Sequence, residues 1–259
     1  MKRALANLAR RFGYEVQPVW RMAGIAQVRK LRKVLDAWRI DTVIDVGANA
    51  GQFHDFLRNE VEFSGRIHSV EPLSALVREM QARQIQDHEW VIHHMALGAE
   101  SGERDINVMT SSTFTSFLEP RQDLTDKLKA ANSVTRQERV RVGRLDDFVK
   151  QVGSVDLRRT FLKMDTQGFD LEVVRGGIRS LAEIAVVQSE VSVRPVYEGM
   201  PDLTTSICTF QELGFQISDM FIVSEDSMLR AFEFDCLMVR ADYGLVGRQP
   251  DDVHLLARP

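Results

Sequence analysis

Residues 43–53 read VIDVGANAGQF, and this stretch decides the fold. Residues 42–45 form a β-branched run ending on an acid. A glycine turn follows, and residues 52–58 have helical character. Gly47 and Gly51 allow close backbone approach and positive φ. A helix opening near Gly51 turns N–H groups and a positive dipole end toward a pocket, a setting that suits a ligand carboxylate. Asp45, at the strand end, suits a ligand ammonium group, directly or through water. The pattern is G-x-N-x-G. Asn49 and Gln52 stand where a pyrophosphate-binding G-x-G-x-x-G has glycine, which argues against a dinucleotide.

Working outward, strand and helix patterns alternate. Residues 66–70 read as a strand and 73–83 as a helix. Residues 90–94 are a strand, 161–164 a strand with a helix over 169–175, and 184–191 a strand with a helix over 203–213. Residues 215–223 and 229–240 read as a hairpin joined near 225–227. Upstream, 2–12 and 26–38 read as helices, the second through Val28, Leu31, Val34 and Leu35. Alternation of this kind predicts an α/β fold, a doubly wound, mostly parallel sheet with a C-terminal antiparallel hairpin. Ligands then bind at the carboxyl ends of strands, beside the point where strand order reverses. Glu71 ends the strand RIHSV about twenty residues after the glycine turn, where an acid accepts hydrogen bonds from two ribose hydroxyls. The alternative for Glu71 is dipole compensation at a helix start, and Pro72 is a favoured first-turn residue. Met95, Ala96 and Leu97 follow the third strand, where an adenine ring would stack or where plain core would lie. Together these motifs point to a nucleoside cofactor.

Residues 98–150 break the rhythm. Residues 103–109 and 138–144 look like extra strands around the polar stretch TSSTFTSFLEPRQDL, an acceptor-side cover. A chain of 259 residues, 44% hydrophobic, supports one full core, so the expected organisation is a helical extension (1–39) and one domain (40–259). No apolar run is long enough to cross a membrane, and no secretion signal is read at the N-terminus. Cys208 and Cys236 lack metal or disulfide spacing and are expected to be buried free thiols in a reducing cytoplasm. Net charge is −4, but the first 35 residues hold nine cations against Glu15, a net of +8, which leaves −12 on the rest. The acidic body argues against nucleic acid as partner. The basic head, with Leu5, Leu8 and Phe12 at helical spacing, is either a solvated helix or a weak contact with an anionic membrane or substrate. The oligomeric state is not legible.

In their order along residues 40–240, several segments resemble the FkbM family of methyltransferases. They are VIDVGANAGQF, SVEP (69–72), ALG-x-x-x-G (96–102) and SSTFTSFL (111–118). Next come RLDDFV (144–149), FLKMDTQGFDLEVVRGG (161–177), VVQSEVS (186–192) and EFDCLMVR (233–240). The resemblance implies the class I methyltransferase fold, a Rossmann-like sheet, with S-adenosylmethionine as donor and usually an oxygen as acceptor, on sugars or polyketides. On this reading Asp45, Gly47, Asn49, Gly51, Gln52, Phe53, Glu71, Pro72, Met95 and Ala96 hold the cofactor. The commoner family pattern after the fourth strand is D-V-E-G-x-E. Here Asp165, Thr166, Gln167, Gly168, Phe169 and Asp170 stand instead, and Gln167 cannot ionise. This variant is similar to bacterial members tied to surface glycans, which makes a glycan or other sugar-bearing small molecule the expected acceptor.

O-methylation needs an aligned acceptor oxygen that loses its proton. Asp165 and Glu190, on neighbouring strand ends, are candidates for base and orienter, or for ligands of a divalent cation. Asp165 can equally cap the turn at 166–168, and Glu190 can pair with Arg194. His93 and His94 have suitable chemistry but fit core packing better. Ser112, Thr113, Ser116, Gln167, Arg194 and Tyr197 are candidate acceptor contacts. Two other functions fit the sequence, a natural-product O-methyltransferase and a non-catalytic nucleoside-binding scaffold.

Overall fold

The computed structural model describes residues 24–153 and 155–241. The expected helix over 2–12 and its apolar stripe lie outside the described residues. The first described helix, α1 (Ile25–Ala37), buries Leu31, Val34 and Leu35, the stripe its periodicity requires. It ends at Trp38 and Arg39, where φ turns positive.

Seven strands form the main sheet: β1 (Thr42–Val46), β2 (Arg66–Glu71), β3 (Trp90–His94), β7 (Thr160–Met164), β8 (Val186–Ser192), β9 (Phe215–Glu225) and β10 (Ala231–Arg240). Their spatial order is β3-β2-β1-β7-β8-β10-β9. The first five run parallel, and β10 lies antiparallel to both β8 and β9. This is the class I methyltransferase fold. Every residue of β1 and β7 is buried, as central parallel strands with both faces covered require. On one face, α1, α2 (Gln52–Phe56, continued by a π-turn over Leu57–Val61) and α3 (Ser74–Gln84) pack on Val43, Ile67, Phe161, Val186 and Leu237. On the other, α5 (Leu145–Val152), α6 (Asp170–Gly176), α7 (Ile178–Leu181) and α8 (Leu203–Glu212) pack on Ile44, Val46, Leu162, Met164 and Met238.

The segment after β3 is more ordered than its polarity suggests. The strands β4 (Ala96–Leu97), β5 (Gly102–Met109) and β6 (Val134–Gly143) form a second sheet in the order β4-β6-β5. Between β5 and β6 lie a 3-10 turn at Ser112–Phe114 and the helix α4 (Asp126–Ala131). The helices α4, α5 and α7 and the start of β6 at Val134 were not expected from sequence. The thiols also differ from expectation: Cys236 is buried, but Cys208 is exposed on α8. No described helix is long and apolar enough to cross a membrane.

Strand parity builds the site. Side chains two residues apart share a face. On the α1–α3 face the apolar starts of the strands give way to polar residues near their ends: Val43 to Asp45, Ile67 to Ser69 and Glu71, Phe161 to Lys163, Val186 to Gln188 and Glu190. On antiparallel β10, Leu237 follows Asp235 in the same way. The polar ends of five adjacent strands therefore collect on one side of the sheet.

Candidate active site

Strand order reverses between β1 and β7, and the turns that leave these strands touch. Asp165 N–H donates to the Val46 carbonyl at 3.0 Å, while Gly47 and Ala48 N–H both donate to the Val70 carbonyl at 3.0 and 3.1 Å. Gly47 and Gly51 both have φ of 82°. A Cβ on Gly47 would lie 2.0 Å from the Asp165 carbonyl oxygen, and one on Gly51 would lie 2.9 Å from the Trp90 ring. The glycines thus let the chain pack closely on itself.

Glu71 closes this end. Its carboxylate accepts from Asn49 N–H at 2.8 Å and from Leu73 N–H at 2.9 Å. Burial pushes the carboxyl up to about 7, against the pull of these two donors. Each of its oxygens keeps acceptor capacity toward the cavity.

Lys163 was not singled out in the sequence. It is 6% exposed, and its ammonium lies 3.3 Å from Asp45 and 3.2 Å from Asp165. The Phe53 ring covers it at 5.2 Å. Burial opposes the ammonium, but the carboxylates of Asp165, Asp45 and Asp235 outweigh it and hold its pKa above the usual lysine range. Asp45, fully buried, is pushed up by burial and pulled back by Lys163. It supports Lys163 and does not line the cavity.

Gln167, at φ of 52°, turns its amide between the two candidate catalytic acids. Its Nε2 donates to Asp165 at 3.0 Å and to Glu190 at 2.9 Å. With both N–H groups on carboxylates, the amide orientation is fixed by its partners. Glu190 therefore pairs with Gln167 rather than with Arg194. Burial first, then the charges of Asp165, Glu233, Asp170 and Asp235, raise its carboxyl well above the usual range. The amide occupies the position between the acids that a divalent cation would need. Among the described residues, no group of three or more His, Cys, Asp or Glu side chains is arranged to hold a metal.

These groups open on a cavity of about 460 Å³. Gly47, Asn49, Gln52, Phe53, Glu71 and Pro72 line one end, with Val70, Ala96 and Leu97 as an apolar wall. Ser112, Thr113, Thr115 and Phe117 form a cover, and Ser112 Oγ donates to Asn49 Oδ1 at 3.3 Å. Lys163 on β7 and Asp165 just after it join the first end, and Gln167, Gln188, Glu190 and Asp235 line the far end, where Gln27 of α1 reaches Asp235 at 3.5 Å.

Several candidates lie elsewhere. Met95 is buried in the core beside Gly143, behind the wall that Ala96 and Leu97 present. Ser116 is 1% exposed and donates to the Gln167 carbonyl at 2.7 Å, tying the cover to the turn after β7. Tyr197 is buried with Met109, Val196 and Met200. Its hydroxyl donates to the Phe114 carbonyl at 2.7 Å and lies 3.1 Å from Gln167 Oε1. Arg194 points away from the cavity, over the Phe232 ring at 4.7 Å and 4.0 Å from Asp226. His93 is 3.0 Å from His68 and packs on Phe148, and His94 reaches the Pro72 carbonyl.

Lys163, Gln188 and Asp235 shared one overlooked signal. Each interrupts an apolar strand (FLKM, VVQSEV, FDCL), and a polar group at a buried strand position needs a partner.

Residues 45–217 match the family model described as the methyltransferase FkbM domain. The chain belongs to the FkbM methyltransferase family. No curated protein matches it. Among solved structures, an FkbM methyltransferase from Methylobacillus flagellatus KT is 17% identical over 77% of this chain and 43% of that one, with a TM-score of 0.49. The FkbM chain described here thus spans less than half the length of that relative. Fibrillarin of Aeropyrum pernix, with natively bound S-adenosyl-L-methionine, is 13% identical over 77% of this chain and 66% of its own, with a TM-score of 0.45. Magnesium protoporphyrin IX methyltransferase of Synechocystis PCC 6803, with bound S-adenosylmethionine, is 11% identical over 89% and 88%, with a TM-score of 0.41.

Proposed function

We propose that this protein transfers a methyl group from S-adenosylmethionine to a hydroxyl oxygen, with a sugar of a glycan, glycolipid or nucleotide sugar as acceptor. One observation carries the reading. Glu71, the glycine turn and the Asp165–Gln167–Glu190 array open on a single cavity at the switch point of the sheet. The residues present fit the donor: Glu71 for ribose hydroxyls, Val70, Ala96 and Leu97 for an apolar ring, and Asn49, Gln52 and Phe53 at the turn. When bound, S-adenosylmethionine supplies an electrophilic methyl on sulfur. As the oxygen–carbon bond forms, the carbon–sulfur bond breaks and its electron pair stays on sulfur.

The chain's own residues align the acceptor and take its proton. Asp165, fixed by Lys163 on one oxygen and Gln167 on the other, orients the hydroxyl. Glu190 takes the proton, since burial and the neighbouring carboxylates raise its affinity for one. The oxygen acceptor and its sugar character rest on the family resemblance and on a cover of small hydroxyl side chains. The basic N-terminal segment suits weak contact with an anionic surface, and a cytoplasmic site fits the free thiols. Labelled methyl recovered on a sugar oxygen supports the proposal. Label found only on nitrogen or carbon overturns the oxygen assignment.

A further inference from the structure

Glu190 and Asp235 face each other in register across β8 and β10, on the face of the sheet that carries Lys163. Like charges placed directly opposite on neighbouring strands destabilise a sheet. Both carboxyls also line the cavity, out of bulk water. Glu233 stands two residues along β10, its carboxylate held by Ser224 at 2.8 Å. Among the described residues lining the cavity, Lys163 is the only Lys or Arg, and its close contacts are with Asp45 and Asp165. The donors left for the far end are neutral amides: Gln167 on Glu190, and Gln27 at 3.5 Å from Asp235.

A second observation comes from a different side chain. Gln188 lines the cavity between Lys163 and the acid pair and is only 1% exposed. Its amide serves Asp235, and its Oε1 has no hydrogen-bond partner. A buried carbonyl oxygen left without a donor is costly. Here it stands beside two carboxyls that make no ion pair with a Lys or Arg among the described residues. Burial first, then the charge of Asp165, raises both acids, and Asp235 stands at about 6 even though Lys163 pulls it down.

We propose that Asp235, Gln188 and Glu190 form a subsite for an ammonium group, and that the acceptor is an amino-bearing alcohol whose amine lies close to the hydroxyl that is methylated. The proposal rests on the methyl-transfer reading and names its acceptor class. An amino sugar has this chemistry, whereas a phosphorylated or carboxylated sugar would meet four lining carboxyls, those of Glu71, Asp165, Glu190 and Asp235. The ammonium donates to Asp235, and a rotation of the Gln188 amide brings its Oε1, closed off in the ligand-free fold, within reach. Its charge lets Glu190 ionise when acceptor arrives, which couples base formation to acceptor binding.

The test is titration of the full chain, with and without S-adenosylhomocysteine, using glucosamine, glucose and glucose 6-phosphate as probes. Carboxyl carbon NMR shifts of labelled Asp and Glu are the readout. Glucosamine should bind about tenfold or more tightly than glucose, and glucose 6-phosphate should be the weakest. Asp235→Asn, nearly isosteric, should erase the preference for glucosamine and leave S-adenosylhomocysteine affinity intact. Glu190→Gln, in a protein shown by circular dichroism to be folded, should reduce it. Equal binding of glucose and glucosamine, tighter binding of the phosphate, or no binding of glucosamine overturns the proposal. So does an Asp235→Asn protein that loses S-adenosylhomocysteine and keeps the glucosamine preference. If the wild type fails to bind S-adenosylhomocysteine, the methyl-transfer reading falls, while the probe ranking on ligand-free protein still decides the subsite.

Discussion

The two ends of the cavity are built on different terms. At the end formed by β1, β2 and β7, the ionisable groups are paired within the chain. Asp45 has Lys163, and Glu71 has two backbone donors. At the end formed by β8 and β10, Glu190 and Asp235 crowd together and Gln188 keeps an orphan oxygen. The first end is preorganised by the fold. At the second, no Lys or Arg among the described residues pairs with either acid. A polar site completed internally can hold a constant ligand, while one left incomplete states what the variable ligand must bring.

Removing the charge on which the finished end depends should have the largest effect. Lys163→Met leaves fully buried Asp45 without a counter-ion, and breaking a buried pair from one side costs about 3–5 kcal/mol. Urea denaturation should show that loss, and adding Asp45→Asn should restore part of it. A cost below about 1 kcal/mol would mean that the pair is not what holds this end together.

Glu71 comes next. Calorimetry with S-adenosylhomocysteine should show about a tenfold or greater weakening in Glu71→Ala, because charge-assisted hydrogen bonds contribute roughly 1.5–3 kcal/mol each. The same residue predicts a pH dependence. Its carboxyl is raised to about 7 in the ligand-free fold, above the usual 4.5. The folded state therefore holds a proton that the unfolded chain has lost, and this contribution to stability is present below about 4.5 and disappears as pH rises through about 7. Ribose hydroxyls donate to the ionised form, so affinity should rise about tenfold from pH 6 to pH 8 in wild type. Glu71→Gln should be flat over that range. A flat wild-type profile would place the ribose elsewhere.

How far the two ends were legible follows the same division. The glycine turn, Glu71 and the alternation of strands and helices came from local signals: β-branched runs, glycines at fixed spacing and an acid at a strand end. The strand at Trp90–His94 fell within its expected bounds. The far end depends on pairing between strands distant in sequence. Asp235 meets Glu190 only because β10 returns antiparallel to β8, and one residue of slip would turn Asp235 to the other face. The helix α5 was missed for another reason. Leu145, Phe148, Val149 and Val152 have helical spacing, but the stretch was read as part of a long cover. Ser116 and Tyr197 have the chemistry of acceptor contacts, yet burial makes them supports of Gln167 and the cover.

Gln167 joins the two ends, and its replacement should have a moderate effect. Gln167→Glu restores the acid commoner in the family but sets a third carboxyl against Asp165 and Glu190, each now within 3.0 Å of an amide nitrogen. Like charges at that distance cannot all ionise. Turnover should fall by about tenfold to a hundredfold, in line with loss of a positioned base, with S-adenosylhomocysteine affinity little changed. Unchanged turnover would show that the amide bridge does not set the geometry of Asp165 and Glu190.

Arg194 should have the smallest effect, and it sharpens the contrast between position in sequence and position in space. It follows β8 directly and is the cation an anionic acceptor would be expected to use. In the fold its guanidinium turns outward onto Phe232 and toward Asp226, leaving the acid pair without it. Arg194→Ala should change stability by no more than about 0.5 kcal/mol, as exposed substitutions usually do, and leave the KM for acceptor unaltered. A large rise in KM would mean that the side chain swings back into the cavity when acceptor binds. The cavity would then hold a second cation, and the shortage of positive charge that separates the two ends would belong to the ligand-free state alone.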